Sequence, residues 1–288
     1  MGVGSINLNL QIKNFKNHLF FKELIPFLIV QIWGIFTVKN ILYRSQLLEE
    51  SITPPRLTLS DLWILLFVVV LFVIIVKYSG RARNIIFRIF FALAIYTGSQ
   101  LALSLFFSQG LAALVAIALV IGLFIFQRVI LHNIAIVATL AGIGAVLGAS
   151  VDPFIALIIL AALSFYDIWA VYKTKHMIVL AESMISAGAI SGLVLPMESK
   201  DFFSSTRNIA PGPKSMILGS GDVVFPLLLS GAVASYSLSS ALIISLFAAI
   251  GLWLTHILFV NQAERRPMAA LPPIATMTIL GYLITLLI

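Results

Sequence analysis

Two aspartates interrupt apolar stretches of this sequence, and they are the residues best suited to carry chemistry. Asp167 lies in the apolar run from Ala156 to Val171, and Asp222 ends the tetrapeptide Gly219-Ser220-Gly221-Asp222. A carboxylate at the centre of a bilayer helix costs roughly 2.5–3.5 kcal/mol on insertion scales, so it normally faces a wet cavity, a partner group or a reaction. We therefore take Asp167 and Asp222 as the leading candidates for a functional site.

The chemistry expected of these aspartates depends on whether they meet in space. They are too far apart in sequence for helix periodicity to pair them, so only the packing of two separate helices could do so. Two carboxyl groups in one poorly hydrated site cannot both ionise easily, and one shared proton then supplies a general base and a general acid together. Such a pair can activate water against a peptide carbonyl and protonate the leaving nitrogen, with no metal or covalent intermediate.

The composition indicates the environment in which these aspartates work. The chain has 288 residues, of which 61% are hydrophobic and 10% are charged, and its mean hydropathy is +1.10. These values are typical of a polytopic membrane protein and not of a soluble domain. Because the sequence has no cysteine, disulfides, thiolate metal sites and a cysteine nucleophile are excluded. No basic stretch is interleaved with aromatic residues, so we expect a lipid bilayer and no nucleic acid as partner.

Hydropathy divides the chain into spans, each of which needs about 20 apolar residues to cross a ~30 Å hydrocarbon core. Nine segments meet or approach this length: 24–43, 60–78, 85–107, 111–127, 130–149, 153–172, 219–236, 238–260 and 268–288. The sequence therefore predicts an all-α polytopic membrane protein with nine transmembrane helices in a single domain over residues 1–288. Its parts are five N-terminal helices in 24–149, the sixth and seventh helices in 153–236 with a connecting loop at 173–218, and the last two helices in 238–288.

The distribution of basic residues orients these nine spans. One side of the membrane collects Lys13, Lys16, Lys22, Lys77, Arg81, Arg83, Arg88, Arg128, Lys173, Lys175, Lys200, Arg207, Lys214, Arg265 and Arg266, and the other side collects Lys39, Arg44 and Arg56. A wrong number of spans would scramble this asymmetry. The positive-inside rule then predicts a cytoplasmic N-terminus and an extracytoplasmic C-terminus.

Three further patterns give structural expectations. Residues 176–195 are semi-apolar with 3–4 spacing, which predicts a short amphipathic helix near the membrane interface, and the polar residues 196–213 predict a loop. The glycines Gly142, Gly144 and Gly148 form a small-residue stripe that lets helices pack closely. His132 and His256 lie in separate spans without a second ligand at i+3 or i+4, so we interpret them as packing or hydrogen-bonded residues and predict no metal site.

The residues around the two aspartates suit a reaction site. Gly219 and Gly221 remove side chains just before Asp222, which lets another backbone approach and exposes the carboxylate. Pro226 cannot supply the amide that would normally bond to the Asp222 carbonyl. Tyr166 places a hydroxyl next to Asp167.

These motifs resemble those of a known family. Three motifs are similar to those of the intramembrane aspartyl proteases of the presenilin and signal peptide peptidase family: Tyr166-Asp167 in one span, Gly219-x-Gly221-Asp222 in the next, and Ala269-Ala270-Leu271 followed by Pro272 near the start of the last. The small size and short N-terminus are most similar to its archaeal presenilin homologues. The resemblance implies that Asp167 and Asp222 are catalytic and that Tyr166, Gly219, Gly221, Ala269, Ala270, Leu271 and Pro272 support the active site. Ala269 departs from the pattern, since the family has a proline there.

The resemblance implies an intramembrane aspartyl protease of the GxGD type that hydrolyses peptide bonds in transmembrane segments of membrane proteins, with a water activated by two aspartates and no cofactor. The alternative is a proton- or cation-coupled transporter or channel that uses the same aspartates as a relay. Against it stands the lack of paired, similarly interrupted spans in two halves of the chain. In either case we expect a multi-pass integral membrane protein, in the cell membrane if the source is prokaryotic, and the sequence is compatible with an oligomer.

Overall fold

The computed structural model describes residues 17–47, 64, 67, 83–173, 184–206, 215–262 and 267–287. Within these ranges α-helices dominate: α1 Asn17–Leu47, α2 Arg83–Leu103, α3 Gln109–Phe126, α4 Val129–Ser150, α5 Pro153–Ile168, α6 Ser220–Ala234, α7 Leu238–Val260 and α8 Leu271–Thr285. A π-helical turn, Trp169–Lys173, extends α5, and a two-stranded sheet and a 3-10 turn lie between α5 and α6. The predicted second span, 60–78, lies outside the described residues apart from positions 64 and 67.

Among the described residues, six helices are long and apolar enough to cross a membrane: α1, α2, α3, α4, α5 with its π-helical turn, and α7. They coincide with predicted spans and confirm a multi-pass helical membrane protein. The helices α6 and α8 are also apolar but have only 15 residues each. At 1.5 Å per residue each is roughly 22 Å long, shorter than a ~30 Å hydrocarbon core. Both helices therefore begin or end at membrane depth.

Helix α4 is the centre of the bundle. In its membrane-crossing window 67% of the residues are buried, against 11% in α3, and it packs against α1, α2, α3 and α6. Its glycines make the close contacts that the small-residue stripe predicts. A Cβ on Gly142 would clash with the carbonyl oxygen of Gly98 in α2, and a Cβ on Gly148 would lie 2.9 Å from the Cα of Gly231 in α6.

The connection between α5 and α6 contains an antiparallel hairpin of β1, Gly192–Pro196, and β2, Ser215–Gly219. The amphipathic helix predicted over 176–195 is therefore wrong for its described C-terminal part, where only a short helical turn at 184–186 precedes β1. The physical reason is the run of aliphatic residues between Gly192 and Pro196, which is fully buried as a strand between β2 and α4. A helix there would leave the edge of β2 without its partner.

A compact apolar cluster joins the helices α5, α6 and α8. Its buried members include Leu160 from α5, Leu229 from α6, and Leu271 and Ala275 from α8. Because each helix contributes side chains that are at most a few per cent exposed, their relative positions are set by close packing. The two aspartates predicted to be functional lie on α5 and α6, next to this cluster.

Candidate active site

Asp167 lies in the last turn of α5, just before the helix widens into the π-helical turn Trp169–Lys173. The backbone N–H of Leu271 donates a hydrogen bond of 3.3 Å to Asp167 Oδ2. Leu271 is the first residue of α8, where backbone N–H groups have no partner within the helix. Pro272 and Pro273 follow it and carry no N–H, so the first donor that α8 can offer a carboxylate belongs to Leu271.

Asp222 lies in the first turn of α6, three residues after the N-cap Gly219. The backbone N–H of Gly219 interacts with the Asp222 carboxylate, an arrangement similar to the acidic half of a capping box. A Cβ on Gly219 would lie only 2.9 Å from Asp222 Oδ2. The glycine therefore leaves room for the carboxylate to turn back over the start of the helix.

The turn after Asp222 is held from another helix. Pro226 lies inside α6, and the buried side chain of Gln31 in α1 donates a hydrogen bond of 2.9 Å to the carbonyl oxygen of Val223. Ser230 also lies 3.5 Å from the Gln31 side-chain oxygen. An amide from α1 thus gives a second donor to the Val223 carbonyl, next to the Asp222 carbonyl that loses its helical donor at Pro226.

The structure brings Asp167 and Asp222 together. Their carboxyl groups are close enough to interact electrostatically, and both side chains are partly buried. Each carboxylate also faces a backbone amide, that of Leu271 for Asp167 and that of Gly219 for Asp222. The arrangement places two acids from consecutive helices at one site with fixed donors beside them, which is what general acid–base chemistry needs.

The other predicted site residues differ in how they surround the aspartates. Ala269 is buried, and the carbonyl of Ala270 accepts a hydrogen bond of 3.3 Å from the Thr255 hydroxyl of α7. Pro272 follows in the first turn of α8. These contacts fix the backbone that presents the Leu271 amide.

Two of the predicted supporting residues have local contacts. A Cβ on Gly221 would lie 3.0 Å from the ring of Phe225, so the absence of a side chain at Gly221 makes room for this ring. The side chain of Tyr166 is 46% exposed, and its ring is tilted on that of Trp169. Tyr166 therefore lies on the outward side of α5.

A groove of about 220 Å³ lies between α5 and α8. It is lined mainly by apolar side chains, including Phe165 and Ala275, with the hydroxyls of Ser164 and Thr276. Phe165 is two residues before Asp167. The groove is therefore a mainly apolar surface between the helix that carries Asp167 and the helix whose first amide bonds it.

Both histidines are hydrogen-bonded, as the sequence predicts. His132 Nε2 lies 3.0 Å from the carbonyl oxygen of Gly192 in β1. His256 Nδ1 lies 2.7 Å from Glu23 Oε1, and both of these side chains are at most 4% exposed. The pair His256–Glu23 joins α7 to α1 away from the two aspartates.

Several contacts around the site were missed by sequence reasoning. The sequence does not predict the hydrogen bond from Gln31 to the α6 backbone or those from Asn133 to β1. The hairpin leaves only a partial signal, because aliphatic runs of about five residues bounded by glycine or proline are typical of strands but also fit a buried helix segment. The polar contacts leave no such local pattern.

Comparisons with known proteins agree with this architecture. The family model described as "Signal-peptide peptidase, presenilin aspartyl protease" matches residues 25–288. Two solved structures of a presenilin family intramembrane aspartate protease, in space groups C222 and P2, have a similar fold. The first is 23% identical with a TM-score of 0.59, covering 91% of this chain and 94% of that chain.

The second is 22% identical with a TM-score of 0.61, covering 92% of this chain and 96% of that chain. No curated protein sequence matches this chain at a significant level. The match to the family model extends over nearly the whole sequence and includes α1 to α8 from residue 25 onward. This chain therefore belongs to the family of signal-peptide peptidase and presenilin aspartyl proteases.

Proposed function

We propose that this chain hydrolyses peptide bonds within or beside the transmembrane segments of other membrane proteins, with Asp167 and Asp222 as the catalytic pair. The observation that carries the proposal is the meeting of these two carboxyl groups at the junction of α5, α6 and the start of α8. The family to which the chain belongs supports the same reaction class. Gly219, Gly221, Ala269, Ala270, Leu271 and Pro272 form the proposed surroundings of the pair, whereas Tyr166 lies on the outward side of α5.

The mechanism uses one proton shared by the two carboxyl groups. The ionised carboxylate takes a proton from water as the water oxygen bonds to the peptide carbonyl carbon, and the carboxylic acid gives its proton to the carbonyl oxygen. A neutral geminal diol results, and the pair again holds one proton. This proton then passes to the peptide nitrogen as the carbon–nitrogen bond breaks, while the other carboxylate removes a proton from a diol hydroxyl. The products are a carboxylic acid and an amine.

A substrate helix must unwind before this reaction, because its carbonyls are bonded within the helix. An unwound segment in a membrane needs new partners for its backbone groups. The strand β2 ends at Gly219, directly before the helix that carries Asp222, and within the described residues its sheet has only two strands. We infer that the unwound segment adds to the outer edge of β2 as a further strand.

The proposal includes a topology for the whole chain. Nine spans form a single transmembrane domain over residues 1–288, comprising the helices of 24–149, the catalytic pair of spans in 153–236 with its loop 173–218, and the last two in 238–288. The basic residues support a cytoplasmic N-terminus and an extracytoplasmic C-terminus. In a prokaryotic source the protein would lie in the cell membrane.

The experiment is cleavage of a labelled transmembrane peptide by the purified chain in detergent and in liposomes, between pH 4 and 8. We expect Asp167→Asn and Asp222→Asn each to lower the cleavage rate by roughly 10²–10⁴-fold, the contribution of general acid–base catalysis. The wild-type rate should show a bell-shaped pH profile, because one member of the pair must be ionised and the other protonated.

The matched control is Asp152→Asn, which makes the same chemical change at an exposed aspartate before α5 whose side chain makes no capping bond. It should cleave at the wild-type rate. Cleavage retained by either folded active-site variant would refute the assignment. Ion or proton flux in liposomes that both variants lose, without any peptide cleavage, would instead establish the transporter alternative.

A further inference from the structure

The outer edge of β1 is closed by side chains and not by another strand. The side-chain amide of Asn133 in α4 donates a hydrogen bond of 2.7 Å to the carbonyl oxygen of Val194 and accepts one of 2.9 Å from the Val194 N–H. His132 lies 3.0 Å from the carbonyl oxygen of Gly192. The Lys22 ammonium of α1 donates a hydrogen bond of 3.0 Å to the carbonyl oxygen of Pro196. Alternate residues of β1 are thus bonded by groups from α4 and α1.

These contacts show which backbone N–H and C=O groups of the hairpin point to its outer edges. In an antiparallel pair, residues alternate between those that bond across the ladder and those whose N–H and C=O point to the outer edges. Val194 pairs with Ile217, and both backbone groups of Val194 point outward to Asn133. Ile217 must therefore direct its own N–H and C=O to the opposite edge of the sheet, away from β1.

We propose that Asn133 is a positioning residue that holds the hairpin so that the N–H and C=O of Ile217 receive the substrate backbone. This inference rests on the proposed function and adds a residue and a register to it. Asn133 mimics one residue of a third strand, since it offers a donor and an acceptor side by side. It thereby closes the β1 edge to peptide and leaves β2 as the receiving edge.

The position of Asn133 in the fold lets it fix the hairpin relative to the helix that carries Asp222. It lies in α4, which packs both on β1 and on α6, the helix that carries Asp222. The hairpin and the helix that carries Asp222 therefore both pack on one helix, α4. When the Asn133 bonds are lost, β1 can shift against α4, and β2 shifts with it because the two strands pair along their whole length. A substrate segment on β2 is then displaced from the carboxyl groups.

The test combines a change in the enzyme with a change in the substrate. The variant Asn133→Leu replaces the amide by an aliphatic side chain of similar volume. The control is Asn40→Leu, because Asn40 is also partly buried and its side-chain amide also donates to a backbone carbonyl, that of Ser104, directly after α2. The substrates are a transmembrane peptide and versions with a single backbone N-methyl group, scanned along the residues that flank the cleavage site. An N-methylated residue cannot donate to the carbonyl of Ile217.

We expect Asn133→Leu to lower kcat/KM for the unmodified peptide roughly tenfold, the effect of two lost hydrogen bonds. The N-methylated peptide that is cleaved most slowly already lacks the hydrogen bond to the Ile217 carbonyl. On this peptide, Asn133→Leu should lower kcat/KM by less than about threefold relative to wild type, because the two changes remove one shared interaction. Asn40→Leu should cleave both peptides at rates within about twofold of wild type. An equal loss on both peptides would show a merely structural role, and no loss on the unmodified peptide would overturn the proposal.

A second measurement does not depend on cleavage. Hydrogen–deuterium exchange of residues 192–196 should be faster in Asn133→Leu than in wild type, and unchanged in Asn40→Leu. Unchanged exchange in Asn133→Leu would overturn the proposal even if peptides are cleaved. If wild type cleaves no transmembrane peptide, the proposed function fails, while the exchange result still decides whether Asn133 holds the hairpin. Should the leucine variant not fold, Asn133→Asp, which keeps an acceptor for Val194 N–H, takes its place in both tests.

Discussion

Leu227 fills a space that two glycines leave open, and this gives a sharp prediction about packing around α6. The side chain of Leu227 is fully buried. A Cβ on Gly34 of α1 would clash with Leu227 Cδ2, and a Cβ on Gly144 of α4 would lie 2.5 Å from the same methyl group. Because both approaches involve one methyl group, Leu227 cannot move away from one helix without meeting the other.

The sizes of the helix-propensity, overpacking and cavity energies decide whether each substitution raises or lowers the free energy of unfolding. Gly144→Ala gains about 1 kcal/mol from helix propensity but overpacks Leu227 at a cost of about 1–3 kcal/mol. The free energy of unfolding should therefore fall by up to about 2 kcal/mol. Leu227→Ala alone should cost about 2–5 kcal/mol through lost burial and a cavity. In the Leu227→Ala background the overpacking is gone, so Gly144→Ala should now stabilise by about 1 kcal/mol.

The assay is reversible unfolding in mixed detergent micelles, followed by circular dichroism, for wild type, the two single variants and the double variant. Gly110→Ala is the control, because a Cβ on Gly110 meets no atom within 4 Å, and its effect should be the same in both backgrounds. The reasoning is refuted if Gly144→Ala changes the unfolding free energy equally, within about 0.5 kcal/mol, with Leu227 present and absent.

Two further predictions concern buried polar contacts of α1. Gln31→Leu should lower the free energy of unfolding by about 1–2 kcal/mol, because it removes a buried donor to Val223; an unchanged unfolding curve would show that this carbonyl needs no second donor. Glu23→Ala should destabilise by about 3–5 kcal/mol, since it leaves His256 without its acidic partner, whereas Glu23→Leu combined with His256→Leu should be close to neutral. Thermal unfolding in detergent checks both, and a double variant less stable than Glu23→Ala would contradict the second.

Hydropathy located most helices because the length of a membrane span is a property of one continuous stretch of sequence. The span predicted over 238–260 coincides with α7, Leu238–Val260. The motifs around Asp167 and Asp222 marked both residues as candidates but left open whether they meet, and in the structure their carboxyl groups are close enough to interact electrostatically. The outward position of Tyr166 was not predictable from its place beside Asp167, since neighbouring helical residues point in different directions.

The hairpin and the polar contacts could not be read from local sequence. The aliphatic run from Gly192 to Pro196 fits a strand or a buried helix by composition alone, and a distant side chain, Asn133 in α4, bonds its edge. Gln31 likewise finds its partner Val223 in a helix near the other end of the chain. Such pairings depend on tertiary packing, which leaves no periodic pattern.

The 15-residue length of α8 has a consequence for the surrounding lipid, because one side of this helix is exposed while α6 is buried among its neighbours. A bilayer beside a helix this short must compress its acyl chains locally, or the flanking polar groups must draw headgroups and water inward. Either response carries solvent towards the start of α8, where the Leu271 amide bonds Asp167, without a permanent pore. The thickness of the host membrane thus becomes part of the reaction environment: thin bilayers relieve the hydrophobic mismatch, and thick, sterol-rich ones increase it.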